Sequence, residues 1–338
     1  FEPFLVVEGA KRMCYFAEIT SNFGGTQSIV YVSDAGNSQN MRQAQNGLDL
    51  PGYRQMRSGV WIGSAFHVMG PGWTYFWRDS GQEPVRWGTP ELIDGRIGTR
   101  WIEGVTRDPT RGYAWVAAQS GLYNYAGTSY PHVPISYYQG AAAWARINNA
   151  ADPSILKVRE MPDKHLVFVF APLDAATECS HVLVWDWSEA GTPNGGIDPL
   201  RVKFTLWNIT SFKFGGADIV LNNTSQEWEL WISRAATSGD VLRLKRDTDS
   251  SIYQDDIKTV AQGINSFYQT PPLVYSVDAW LDMLAISISL RGAGEIELRC
   301  RSMDQVLDLL LSPIMAELTP GKPYLRWIEQ QSNSASLY

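Results

Sequence analysis

The side chains that could do chemistry fall into a few small sets. Trp73, Tyr75 and Trp77 stand at alternate positions, so on a strand they share one face. With Trp87 nearby, and Trp144 further on, they could make a platform that stacks a sugar or anchors a partner. The same spacing also serves the interior of a layered β fold, which is the plainer reading of these rings. His67, His132, His165 and His181 are dispersed, and none lies in a His-x-x-x-His pattern that would set two ligands on one face. His165 and His181 flank one pair of strands, with no carboxylate or Cys at ligand spacing to complete a site. Cys14, Cys179 and Cys300 are odd in number and widely separated, so they read as small apolar core residues rather than as a disulfide framework or a metal site. Glu227, Glu229, Asp255 and Asp256 could in principle move protons, but the sequence pairs none of them with a partner. No catalytic residue, metal or cofactor is expected.

The short motifs point the same way. The turns Ser33-Asp34-Ala35-Gly36 and Arg78-Asp79-Ser80-Gly81 approach the Ser-x-Asp-x-Gly-x-Thr-Trp turn of propeller glycosidases, but neither carries the Trp at the required offset, because Trp87 comes too late. They read as strand-end turns in which Asp bonds the local backbone and Gly accepts left-handed angles. The run Val184-Trp185-Asp186-Trp187 has the dipeptide of WD40 blades without the upstream Gly-His that completes that motif. No Gly-x-Ser-x-Gly elbow, Walker loop or dinucleotide glycine motif follows a strand and precedes a helix. The tripeptides Asn208-Ile209-Thr210, Asn222-Asn223-Thr224 and Asn223-Thr224-Ser225 match the glycosylation pattern, which is common by chance.

Composition bounds what can hold such residues. The chain has 338 residues, 44% of them hydrophobic and 12% aromatic, against 19% charged. That is enough apolar matter for a sizeable core and favours strands. The net charge of -7 argues against a surface built to neutralise phosphates, and suits a wall past which DNA can move without sticking. No apolar run reaches the length of a membrane helix, and Phe1 to Val7 is too short for a signal sequence, so a soluble protein is expected.

One unit recurs along the chain: an apolar strand, a turn rich in Gly, Ser, Asn or Pro, and a second strand ending in a polar turn. Its copies are CYFAEIT with SIVYVSDAG, SAFHVMG with WTYFWRDSG, YAWVAA with LYNYAG, LVFVFAP with HVLVWDWSEAG, and WELWIS with DVLRLKRDTD. They end at Gly36, Gly81, Gly127, Gly191 and near Asp249. The first intervals, of about 45 residues, match a four-stranded propeller blade, and the later, longer ones need only loop insertions. MRSGVWIGS, TRWIEGVTRD, SILKVRE and ADIVLNN would each add a further strand. The expectation is an all-β chain, with a β-propeller of five or six blades over residues 1–263 and a C-terminal β-rich cap or sandwich region over 264–338. In the latter, LDMLAISISL and EIELRCRS face each other as a hairpin across Arg291 to Gly294, and SMDQVLDLLLSPIM has the spacing of one short helix. A β-sandwich is the alternative, although it has no reason to repeat one hairpin at a fixed interval.

The runs GLYNYAGTSYPHVPIS, AWARINNAADPSILKVRE, HLVFVFAPLDAATECSHVLVWDWSEAG and VKFTLWNI, with the stretch from Asp255 to Pro272 and the Gly-rich turn at Arg291 to Gly294, resemble bacteriophage tail proteins of the nozzle and hub type. The resemblance spans about Gly121 to Arg301 and rests on turns and aromatics. It implies a virion protein, made in the host cytoplasm, that forms a ring of copies around the DNA exit path and joins other tail components such as adaptors and fibres. It carries no active-site residue. Two other functions remain open: a glycan-binding or glycan-cleaving surface propeller, and a propeller that scaffolds protein interactions.

Overall fold

A computed structural model describes residues 2–244, apart from 21–25, 41–42, 51, 53, 108–111, 193–195, 209–212 and 236–240, and beyond residue 244 the backbone of seven strands. The chain separates into two compact units, Phe1–Leu244 with Asn265–Pro271, and Lys245–Ile264 with Pro272–Tyr338.

The first unit is a five-bladed β-propeller. Sheet one holds β1 (Leu5–Gly9), β2 (Arg12–Thr20), β3 (Thr26–Val32) and β4 (Gly47–Leu48) in that order. Sheet two holds β5 (Ser58–Ile62), β6 (Ala65–Gly70), β7 (Trp73–Arg78) and β8 (Glu91–Asp94). Sheet three runs β9 (Val105–Arg107), β10 (Ala114–Ala118), β11 (Gly121–Tyr125). Its fourth place is taken by an irregular segment, where Ile135 N–H donates to Leu122 O and Leu122 N–H donates to Ser136 Oγ. Sheet four runs β12 (Lys157–Met161), β13 (Leu166–Ala171), β14 (His181–Asp186), β15 (Lys203–Asn208), and sheet five runs β16 (Phe214–Asn222), β17 (Glu227–Arg234), β18 (Val241–Arg243). All pairings within these sheets are antiparallel.

The repeated unit of the sequence is thus the second and third strand of every sheet, and MRSGVWIGS, TRWIEGVTRD, SILKVRE and ADIVLNN supply the first strands of sheets two to five. Those first strands lie beside one another in the order β1, β5, β9, β12, β16.

Two-sided burial separates this arrangement from a sandwich, whose sheets bury one face each. In sheet two, Trp61, Phe66 and Val68 pack with Cys14, Phe16, Val30 and Val32 of sheet one, while Val60 and Met69 pack with Ala114, Val116 and Tyr125 of sheet three. The alternate residues of sheet three, Trp115, Ala117 and Leu122, pack with Val158, Val167, Leu183, Trp185 and Phe204 of sheet four. A strand buried on both faces has to be apolar at nearly every position, and AWVAA is. Close approach between strand and loop fixes Gly98, where a Cβ would clash with the backbone carbonyls of Trp73 and Gly70.

Beyond sheet five, β19 (Gln254–Ile257) pairs with β20 (Val260–Gly263), and β21 (Asn265–Gln269) returns to the first unit as a fifth strand on the β15 edge of sheet four. In the second unit, among the described residues, the two strands of the expected hairpin are not paired with each other, and its turn after Arg291 lies outside the described residues. β22 (Ala285–Arg291) pairs with β25 (Pro323–Glu329), and β23 (Leu298–Arg301) pairs with β24 (Asp308–Ser312). The expected helix is replaced by β24 over its described part, because a short apolar run such as Leu309-Leu310-Leu311 satisfies either period and the partner strand decides. The remainder of that expectation, 302–307 and 313–315, lies outside the described residues. No described helix is long and apolar enough to cross a membrane.

Candidate functional site

The starts of the first strands gather two groups of paired charged side chains. Glu103 lies just before β9 and bridges in parallel to Lys157, the first residue of β12, with Val158 N–H donating to Glu103 O at 2.9 Å. Lys157 and Arg159 alternate on one face of β12, and both donate to the Glu103 carboxylate. Arg159 Nε also donates to Ala217 O on β16 at 2.8 Å and lies 3.6 Å from Asp218 Oδ1. One guanidinium therefore ties sheets three, four and five. Burial alone would raise the Glu103 carboxyl, but the Lys157 hydrogen bond and the charges of Arg159 and Lys157 outweigh it and hold the group below its ordinary range.

A second group lies at the start of β5. Arg57 Nη1 and Gln55 Nε2 each donate to Glu18 Oε1 of sheet one at 3.4 Å. Asp152, on the connection into sheet four, is lowered by hydrogen bonds from the backbone and hydroxyl of Ser154, with a smaller contribution from the Arg57 charge. Glu103 and Asp152 are thus both held below the ordinary carboxylate range, and the paired charges join neighbouring sheets.

The four aromatics picked out by sequence lie close together, mostly facing inward. Trp73, Trp77 and Trp87 are buried in the cluster between sheets one and two, with Tyr75 half-buried against it. Trp87 meets Trp61 edge-on at 5.8 Å, and the Arg12 guanidinium lies 5.2 Å from the Trp87 ring. Arg54 lies over Tyr75 at 5.4 Å and Trp73 at 6.0 Å, so Tyr75 beneath Arg54 is the part of this set nearest solvent. Trp144 is separate, packing against Trp185 at 5.8 Å.

The Asp turns act locally, as their composition implies, and one does more. Asp79 Oδ1 accepts Gly81 N–H at 2.7 Å, and its carboxylate also receives Arg12 Nε at 2.7 Å. Arg12 is buried, and its remaining donors reach Ser33 O at 2.9 Å and Gln82 O at 3.0 Å, so the ion pair clamps sheet one to sheet two. Asp34 accepts from Asn46 Nδ2 at 3.1 Å.

The histidines stay apart. His165 sits on the β12–β13 turn with its ring 4.5 Å from Trp187, whereas His181 opens β14 at the opposite end of the same strands and bonds Ser180 Oγ at 2.8 Å. His67 is buried between sheets two and three, sharing a 2.9 Å hydrogen bond with Tyr125 and stacked on Phe76. Burial lowers its pKa to about 4. Cys14 and Cys179 are buried, and desolvation raises both thiols, Cys179 to about 12. Glu229 accepts from Asn222, Trp231 and Arg243, which lower its carboxyl. Among the described residues no three His, Cys, Asp or Glu side chains are grouped as a metal site. The side chains of Asp255, Asp256 and Cys300 lie outside the described residues.

Sequence reasoning did not single out Arg12, Glu103, Lys157 or Arg159. The signal for the last pair was present, as two cations at alternate positions in SILKVRE. Glu103 and Asp79 come from distant segments, so their pairing left no local trace.

No protein-family model matches the chain, and no curated protein is significantly similar to it. Among solved structures, a puromycin hydrolase is 15% identical with a TM-score of 0.31 over 72% of this chain, which spans only 39% of that one. A putative 6-phosphogluconolactonase from Bacteroides fragilis is 10% identical with a TM-score of 0.30, over 78% of this chain and 86% of that one. At these values neither protein's activity is transferred to this chain.

Proposed function

We propose that the protein is a structural and binding part of a larger assembly, working by packing against copies of itself and neighbouring components. The observation that carries this reading is the use made of charge at the first strands. Glu103, Lys157, Arg159, Glu18 and Arg57 are engaged with one another across sheets, an arrangement suited to a rigid wall. The resemblance over Gly121 to Arg301 narrows the proposal to a virion protein of a phage tail, forming a ring around the DNA exit path. A net charge of -7 supports that reading, since a wall of this sign lets DNA pass without sequence-specific binding. A rigid disc whose loops vary independently of its core is a suitable building block for such a ring.

Electron microscopy of the purified full chain tests this reading. Cyclic assemblies of identical copies are expected. A stable monomer that hydrolyses a substrate, or that binds one member of an oligosaccharide library saturably, would overturn it in favour of a surface enzyme or lectin.

A further inference from the structure

Sheet three is bordered on its β11 side by a strap in place of a fourth strand. Residues 126–134 leave the end of β11, run against sheet two and return at Ile135, whose N–H donates to Leu122 O. Among the described residues, no backbone group of 126–133 bonds another backbone group, and Ala126, Thr128, Ser129, Pro131 and His132 are exposed. One inward side chain, Tyr130, fastens the middle of the strap. Its ring stacks on Tyr125 at 4.4 Å and meets Tyr123 edge-on at 5.5 Å. Thr74 Oγ1 donates to Ile97 O at 2.9 Å, so the same oxygen accepts from the Tyr130 hydroxyl, also at 2.9 Å. That hydroxyl lies 3.7 Å from Met69 Sδ. Tyr125 is itself held by its 2.9 Å hydrogen bond with His67, so Tyr130 rests on a fixed seat. At one end of the strap, Gly127 has a φ of +92°, and a Cβ there would lie 3.0 Å from Ile62 Cγ2 of sheet two. At the other end Pro134 is buried against Gly121.

We infer that the strap is a latch that opens locally, swinging between Gly127 and Pro134 while the sheets on either side stay folded. Opening it breaks the contacts of one inserted side chain and no strand ladder. Segments of that kind, with few buried contacts and no backbone hydrogen bonds, belong to the low-stability end of a fold. A glycine in the left-handed region is also a residue that can absorb the change in backbone angles at a hinge. Once Tyr130 lifts out, the ring face of Tyr125, the Thr74 hydroxyl and the Met69 thioether are uncovered together. They make a small aromatic cleft with one hydrogen-bonding group, set between sheets two and three and present only in the open state. The latch does not depend on the assembly reading, because the residues that form it lie within one chain.

The test uses the full chain carrying Met69→Cys and an excess of a thiol reagent, with modification read peptide by peptide by mass spectrometry. Cys14, sealed in the core between sheets one and two, reports opening of the whole fold in the same sample. The thiol at position 69 should be modified at least about 10-fold faster than Cys14, with little dependence on low concentrations of urea, because local opening exposes little surface. Adding Tyr130→Phe keeps the ring and removes the hydroxyl bond. It should speed modification at position 69 about 3- to 10-fold and leave the Cys14 rate unchanged. Modification at position 69 with the rate and urea dependence of Cys14 overturns the latch, since only unfolding then reaches the cleft. So does Tyr130→Phe if it leaves position 69 unchanged or accelerates both thiols together. Should Met69→Cys lose the wild-type circular dichroism, Thr74→Cys, which is nearly the same shape, carries the comparison with Cys14.

Discussion

Acid should loosen the propeller between sheets two and three, through His67. The imidazole is 1% exposed, wedged between Phe76 at 5.5 Å and the Tyr125 ring at 5.3 Å. Desolvation lowers its pKa from 6.5 to about 4. An unfolded chain binds a proton at this residue as the pH falls through the ordinary histidine range, and the folded chain does not. Stability present above that range is therefore lost between the two values. The whole shift corresponds to about 3 kcal/mol, and at about pH 5 linkage gives a loss of about 2 kcal/mol relative to about pH 8. For a unit of this size that is a fall in Tm of roughly 4 to 8 °C.

The assay compares thermal unfolding of wild type with that of His67→Asn, which keeps a hydrogen-bonding group near Tyr125 and has no proton to gain. Other acid-sensitive groups act on both proteins, so the difference between the two pH dependences isolates His67. Wild type should lose about 2 kcal/mol more than the variant over this interval. Parallel curves would refute the reasoning, since they would mean that the ring is hydrated or already charged in the folded state.

Asp79→Asn leaves the buried Arg12 guanidinium without its counter-charge and should cost about 3 to 5 kcal/mol in denaturant unfolding, while the pair replaced together by apolar residues should cost much less. Gly98→Ala should lower stability by roughly 3 kcal/mol, because the methyl group meets backbone carbonyls that cannot rotate away. Glu103→Gln should weaken the joint of sheets three and four, by roughly 1 to 3 kcal/mol after discounting its partial exposure, and make unfolding less sensitive to added salt. The Glu103 carboxyl is lowered, so its share of stability is present above the ordinary carboxylate range and is lost as the pH drops below it, in a more acidic window than that of His67. Cys14 and Cys179 should resist a thiol reagent in the folded protein and react on unfolding, as peptide mass spectrometry can read.

The parts of the fold that sequence reveals are those whose cause is local. Hairpins such as SAFHVMG with WTYFWRDSG announce themselves because the turn glycines and the strand period lie within one short window, and all five became the second and third strands of sheets. Pairings set from far away leave no such mark. Nothing near Asn265–Gln269 says that it will join β15 rather than sheet five, and nothing near Ala285–Arg291 selects β25 over the adjacent β23. Arg12 flanks an apolar strand as a solvated charge would, and only the arrival of Asp79 from the next sheet makes its burial affordable. Sheet five shows the same limit. WELWIS alternates large apolar residues much as AFHVMG does in sheet two, yet Trp231 is exposed where Phe66 is buried. Whether an apolar strand position is buried depends on what packs against its face, and that is set by segments far away in the chain rather than by the strand's own composition.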